Sequence, residues 1–246
     1  LPMSANSARY TDPRLAALYD ALNTSRQDWD FYLDLAQDAP LRVLDVGCGT
    51  GALAVEFAMR GHHASGADPA EAMLEIARQR PGGDGVDWYL SGAGELDLAA
   101  RFDMIVMTGH AFQVLRSDAE ITAALATMRR HLAPGGRLAL ETRNGAVRAY
   151  EGWVAEDIDI VELPGHGKVR VGYQTVAVGG PLVTYEIRFD FGGGDRTVAT
   201  DILRFMEEDE FRGFLTAAGF ADITLLGDWD GSPVGADSPE LIAIAG

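Results

Sequence analysis

Val43-Leu44-Asp45-Val46-Gly47-Cys48-Gly49-Thr50-Gly51 joins a short apolar run to three glycines spaced by single residues, and an amphipathic segment follows. Such a pattern reads as a buried strand, a turn without side chains and the first turn of a helix. Glycines there let backbone N–H groups come close to a ligand, because no Cβ stands in the way. Gly47, Gly49 and Ala52 also satisfy G-x-G-x-x-G/A, so the glycines alone leave the nucleotide undecided. Asp45 separates the readings. A carboxylate at the strand end, two residues before the first glycine, repels a pyrophosphate and welcomes a cationic amino group and a sulfonium. A plain glycine-rich strand-to-helix turn is the alternative without a ligand.

Working outward, the segment up to about residue 40 reads as two helices. Pro13 opens one carrying Leu15, Leu18, Tyr19 and Leu22; the second carries Trp29, Tyr32, Leu33 and Ala36, and Pro40 stops it. Tyr10 and Tyr19 are candidates for packing first and for lining a pocket second. After the glycine turn, strands are expected at residues 63–67, 86–90, 102–107 and 137–142. Helices at 53–60, after Pro69 and after Ser117 lie between them, the last opened by a Ser117/Glu120 capping box. Repeated βα units with short loops give a parallel sheet covered on both faces. Residues 169–178, 182–191 and 197–205 alternate with period two and are broken by Gly179-Gly180 and Gly192-Gly193-Gly194, an antiparallel meander with one dry face. A helix at 208–218 and strands at 223–226 and 241–245 resume the α/β pattern. The expected architecture is a Rossmann-like doubly wound α/β sheet. Residues 1–40 form a helical cap, 41–146 and 206–246 the core, and 147–205 an inserted antiparallel β lid. An oligomerisation surface is the other use of such a meander.

The chain has 246 residues, 47% hydrophobic, with a formal net charge of -17. That charge opposes nucleic acid and anionic membrane surfaces as partners. No apolar run reaches the ~20 residues of a bilayer span and no signal peptide is legible. The single cysteine, Cys48, rules out an internal disulfide and fits a reducing compartment, so a cytoplasmic setting is expected. Leu1-Pro2 ahead of Met3 read as a cloning remnant. Histidines and cysteines at metal-ligand spacing are missing, and no metal is expected. His62-His63 reads as a solvated or partly packed pair.

Asp68, at the end of the second strand, is placed to accept both ribose hydroxyls, with capping of the following helix as its compatible second role. Thr108 and Gly109 follow the fourth strand, where such sheets present ligand groups. Phe112 is a candidate to cover the cofactor there, and His110 and Gln113 to face the acceptor. His110 is read first as a pocket residue and second as a general base, a role worth about 10²–10⁴-fold where used. Arg143, at the end of the fifth strand, is a candidate clamp for an acidic or polar substrate. Its alternative is a surface ion pair.

The nine residues around Asp45 resemble motif I of the class I S-adenosylmethionine-dependent methyltransferases. Tyr10-Thr11-Asp12-Pro13-Arg14-Leu15-Ala16-Ala17-Leu18-Tyr19-Asp20, Leu132-Ala133-Pro134-Gly135-Gly136 and Gly227-Asp228-Trp229-Asp230-Gly231-Ser232-Pro233 are similar to small-molecule members of the methyltransferase-25 type. The resemblance implies a seven-stranded sheet with its last strand antiparallel and S-adenosyl-L-methionine as cofactor. The implied cofactor set is Asp45, Gly47, Cys48, Gly49, Gly51, Asp68, Pro69, Met73, Gly92, Ala93, Thr108 and Gly109, with Asp45 at the ammonium end and Met73 against adenine. Gly92 stands where the family usually has an acid near the adenine amine, and Glu95 is a possible substitute. His110, Gln113 and Arg143 are left for the catalytic side. No Asn/Asp/Ser-Pro-Pro-aromatic tetrapeptide or Pro-Cys nucleophile of the DNA-modifying subclasses is found. The expected activity is methyl transfer to an oxygen or nitrogen of a small molecule, with a homodimer possible. An NAD(P)-dependent oxidoreductase and a non-enzymatic S-adenosylmethionine sensor or scaffold are the alternatives.

Overall fold

The computed structural model describes residues 7–36, 39–155, 158–163 and 167–246; the expectation for Leu1-Pro2 lies outside them. The chain opens with three four-residue helices, α1 (Ala8–Thr11), α2 (Pro13–Ala16) and α3 (Tyr19–Leu22), and a longer α4 (Gln27–Ala36). The single helix expected after Pro13 is therefore broken. The Asp12 carboxylate accepts the Arg14 N–H at 2.9 Å and opens α2, and the 19–22 turn is a separate helix whose end at Asn23 leaves helical dihedrals.

The core follows as β1 (Arg42–Val46), α5 (Ala52–Met59), β2 (His63–Asp68), α6 (Glu71–Gln79), β3 (Asp87–Leu90), β4 (Phe102–Met107), α7 (Asp118–His131) and β5 (Leu132–Arg143). A second set of strands, β6 (Ile158–Leu163), β7 (Gly167–Gly179), β8 (Leu182–Gly192) and β9 (Asp195–Arg204), precedes α8 (Glu208–Ala217), β10 (Ile223–Leu226) and β11 (Glu240–Ala245). The expected Ser117–Glu120 capping box is formed, with both reciprocal bonds present.

Seven strands make the main sheet in the order β10-β11-β5-β4-β1-β2-β3. Only β11 runs antiparallel to its neighbours, as the seven-strand expectation requires. Successive β1 residues serve opposite faces. Leu44 and Val46 pack with Ile121, Leu125, Phe211 and Leu215 from α7 and α8. Val43 packs with Tyr32, Leu33 and Phe57 from α4 and α5. These side chains are 0–2% exposed, and truncating one such leucine to alanine costs about 2–5 kcal/mol.

The four antiparallel strands form their own sheet, β6-β7-β8-β9. Val183, Tyr185, Ile187 and Phe189 are its dry face, as the alternation predicts. That face is closed by Leu15 and Leu18 of the N-terminal segment and by Tyr150, in one hydrophobic cluster. Cap and inserted sheet thus share a core. Strand β6 was not anticipated; Ile158 and Ile160 are exposed and only Leu163 is buried, so it carries no alternating signal. Among the described residues no helix is long and apolar enough to cross a membrane.

Candidate active site

A cavity of about 700 Å³ lies at the C-terminal ends of β1, β2 and β4 and is roofed by the cap and the second sheet. Its walls include Asp45, Gly47, Cys48 and Gly49; Asp68, Pro69 and Met73; Ala93; Thr108, Gly109 and His110; and Arg143. Most of the site residues expected from sequence therefore meet in one place, although β-strands and loops 100 residues apart supply them.

The glycine turn is shaped by its backbone. The N–H groups of Gly47 and Cys48 both donate to the Ala67 carbonyl, at 2.7 and 3.1 Å. Gly47 has φ of 72°, and a Cβ there would lie 2.9 Å from Ala111 Cβ. Gly51 departs from the expectation: it is not on the cavity wall. A Cβ on Gly51 would fall 2.3 Å from the Trp88 ring, so this glycine lets α5 seat on the sheet. Gly92 is buried but likewise off the wall, and Glu95 is exposed away from it.

Asp68 uses both oxygens on the chain itself. Oδ2 accepts the Gly49 N–H and Oδ1 the Ala70 N–H, each at 2.8 Å. Each oxygen keeps a further lone pair, so the capping role and a ligand contact coexist at this wall position. Asp45 is 2% exposed, and its Oδ1 has no hydrogen-bond partner among the described residues. Burial, followed by the charges of Asp68 and Glu141, raises its carboxyl to about 8. A buried, unpartnered carboxylate against a cavity is an unfavourable state that a cation relieves.

His110 follows Gly109 in a left-handed turn, with φ of 59°. Its N–H donates to Glu141 Oε1 at 2.7 Å, while the Tyr32 hydroxyl donates to the other Glu141 oxygen. The ring Nε2 stands 3.0 Å from both Glu240 carboxylate oxygens. Burial first, and then Arg143, lowers the imidazole to about 4; burial also raises Glu240 to about 7, against the opposing pull of Arg143. Both groups are driven towards their neutral forms. Near neutral pH the Glu240 carboxyl, at about 7, is therefore the member of the pair that changes charge.

Two aromatic-turn expectations are corrected. Phe112 is 0% exposed and packs on Phe211, with ring centroids 5.5 Å apart, so it lies in the core and not over the cavity. Gln113 is 0% exposed and does not face an acceptor. Its Oε1 accepts from Arg143 Nη1 at 2.8 Å and its Nε2 donates to the Arg204 carbonyl at 3.1 Å, which makes it the support that orients Arg143. Arg143 itself lies over the Trp153 ring, 5.6 Å from the centroid, in place of a surface ion pair.

The roof supplies groups that sequence did not single out. Arg9, Asp28, Trp153, Tyr173, Tyr185 and Trp229 all line the cavity beside Tyr10 and Tyr19, which also pack against Ala16, Ala70 and Met73, so those two tyrosines fill both of the expected roles. The cap is tied to the glycine turn through Asp20: Thr50 Oγ1 donates to its Oδ1 at 2.6 Å, and Arg80 pairs with its other oxygen. Arg80 Nε also donates to the Thr50 carbonyl at 3.0 Å. His62 is 7% exposed and packed, its Nδ1 accepting the Leu41 N–H at 3.2 Å.

A seven-stranded sheet of this order, with an acid-backed glycine turn opening on a cavity, is the Rossmann-like methyltransferase fold. Residues 43–136 match the methyltransferase domain family. An N,N-dimethyltransferase of Streptomyces venezuelae acting on dTDP-3-amino-3,4,6-trideoxy-α-D-glucopyranose is 27% identical over 181 residues, 72% of this chain and 74% of its own length. The ubiquinone biosynthesis O-methyltransferase of Rhizobium leguminosarum bv. trifolii is 33% identical over 112 residues, and the match spans 43% of that enzyme. The S-adenosylmethionine-bound structure of CalS10, an amino pentose methyltransferase from Micromonospora echinaspora, superposes with a TM-score of 0.69 at 27% identity, covering 93% of this chain and 97% of that one. Residues 43–136 thus carry a methyltransferase domain, within a fold that S-adenosylmethionine-dependent methyltransferases share.

Proposed function

We propose that the chain transfers the methyl group of S-adenosylmethionine to a nitrogen or oxygen of a small molecule bound under the roof of this cavity. The unpartnered Asp45 carboxylate at one end of a cavity that continues to Trp153, Tyr173 and Tyr185 is the observation that carries the reading. Its lining suits the cofactor: an anion for the ammonium end, a glycine turn whose missing side chains leave room for the methionine part, Asp68 for ribose, and Met73 with Ala93 for adenine. Relatives named for amino-sugar N-methylation and for ubiquinone O-methylation support a small acceptor and leave both atom types open. They do not favour a nicotinamide-dependent reaction.

When bound, S-adenosylmethionine supplies an electrophilic methyl on a sulfonium. The chain's task is then alignment of the acceptor lone pair, the term that supplies most of the rate in such displacements. The aromatic roof excludes water and strengthens the electrostatics within. A proton displaced from an acceptor amine or hydroxyl has His110 as its receiving group. With Glu240 ionised, Nε2 carries the ring hydrogen and Nδ1 offers the lone pair.

Methyl-labelled cofactor incubated with the protein and a cell extract tests the assignment. Label is expected in the dialysable small-molecule fraction, together with release of S-adenosylhomocysteine. Label confined to protein or nucleic acid would overturn it.

A further inference from the structure

The acceptor end of the cavity has a charge balance that the methyl-transfer reading does not explain. Two guanidinium groups, Arg9 from α1 and Arg143 from β5, line it together. Arg9 Nη1 donates to the Tyr185 hydroxyl at 3.2 Å, and its guanidinium lies 5.4 and 5.5 Å from the Tyr10 and Tyr19 ring centroids. Arg143 is held by the neutral Gln113 amide and the Trp153 face. Neither has a carboxylate within 4.0 Å among the described residues. A guanidinium offers five N–H donors in a planar fork, so most of the donors on both residues remain uncommitted.

The contrast with Arg204 is instructive. Where this chain buries a guanidinium for structure alone, it provides carboxylates: Arg204, with a side chain 7% exposed, pairs with Asp118 at 2.7 Å and with Glu210. Arg80 likewise pairs with Asp20. In a protein of net charge -17, two cavity-facing arginines without such partners stand apart. Each also bears on the other, since Arg9 is among the charges that lower Arg143.

The carboxylates that share the cavity pair with neither arginine. Asp45 and Asp68 lie at the glycine turn, Asp20 belongs to the Thr50–Arg80 link, and Asp28 sits within electrostatic reach of His110. Glu240 acts on Arg143 at longer range, but both its oxygens meet His110 Nε2. Asp159, exposed on β6, borders Tyr173.

We propose that the acceptor carries an anionic group, a carboxylate or a phosphate, held between Arg9 and Arg143, with its ring against Trp153, Tyr173 and Tyr185; this rests on the methyl-transfer reading above. Asp201 reaches Arg9 only through the Tyr185 hydroxyl, and Glu240 and Glu141 act on Arg143 from beyond 4.0 Å, so an anion there supplies the direct ion pair that both arginines lack, and planar oxyanions match the guanidinium fork. The flat aromatic walls add a surface for a ring.

The test is a calorimetric titration of the full chain, first with S-adenosylhomocysteine and then, once saturated, with benzoate, phenyl phosphate and the neutral benzamide. At least one anion should bind about tenfold or more tightly than benzamide, benzoate leading for a carboxylate site and phenyl phosphate for a phosphate site. Arg9→Gln and Arg143→Gln should each weaken that anion about 10- to 100-fold while leaving benzamide and S-adenosylhomocysteine within a few-fold. Arg9→Lys and Arg143→Lys, which keep the charge but lose the fork, should fall between. Equal binding of benzamide and the anions, no binding of either anion, or an anion preference that survives both Gln variants overturns the proposal. Failure of S-adenosylhomocysteine to bind the wild-type chain strikes the methyl-transfer reading instead, so the two failures are read separately.

Discussion

Burial raises the Asp45 carboxyl from 3.8 to about 8, and neighbouring Asp68 and Glu141 reinforce the rise. Because the folded value lies above the unfolded one, the stability this group contributes is complete below 3.8 and is lost as pH rises through about 8. The ligand-free protein should therefore lose melting temperature across that window, and Asp45→Asn should flatten the loss. A cationic cofactor reverses the preference, so its uptake at neutral pH should expel a proton. Calorimetry in buffers of different ionisation enthalpy should detect that release in the wild type and less of it in Asp45→Asn; equal release contradicts the ammonium assignment. The second residue-scale expectation concerns the Glu240–His110 pair. Proton acceptance at the imidazole needs Glu240 ionised, so kcat should rise with pH through about 7. Glu240→Gln should remove that limb and lower kcat by roughly 10²-fold or more, with cofactor affinity unchanged. An unaltered pH profile would leave His110 as wall alone.

At the scale of elements, the cap is fastened to the cofactor turn by one side chain. Asp20 on α3 takes the Thr50 hydroxyl and pairs with Arg80, which also reaches the Thr50 carbonyl. These groups are partly exposed, and Asp20→Ala should cost only about 1 kcal/mol or less of global stability. Amide exchange across residues 8–22 should nevertheless quicken markedly, since that segment consists of four-residue helices that cannot stand alone. Unchanged exchange would show that Leu15 and Leu18 suffice to seat it. The same elements mark where sequence was readable. Strand-helix alternation from β1 to β5 was legible because Gly61, Pro81 and the Ser117–Glu120 box punctuate strong apolar runs, and the meander because its dry face alternates. The broken α1–α3 segment was not, since its shape comes from docking on β8 and β9 and the apolar spacing alone reads as one helix. That Asp45, the glycine turn and Asp68 meet at one cavity was legible because each is close in sequence to its strand end. Arg9 and Glu240 were not: their partners, Tyr185 and His110, lie 176 and 130 residues away. Gln113 was misread for a similar reason, since a polar residue just past a strand end is as well placed to brace Arg143 as to face a ligand.

For the whole molecule, two sheets and a cap enclose one cavity. The seven-stranded sheet presents Asp45, Asp68 and the glycine turn at its strand ends. The second sheet turns its dry face onto Leu15, Leu18 and Tyr150, with Tyr173 and Tyr185 at the cavity. One chain thus brings the proposed cofactor end and the proposed acceptor end together, within a volume of about 700 Å³, and Arg204 fixes the exit of β9 to α7 and α8 through Asp118 and Glu210. The most direct measurement is a crystal structure of the full chain with S-adenosylhomocysteine. The account predicts its amino group on Asp45, its ribose hydroxyls at Asp68, its adenine beside Met73 and Ala93, and its sulfur opening towards Trp153 and Arg143. An amino group remote from Asp45, or a sulfur turned away from that chamber, would contradict it.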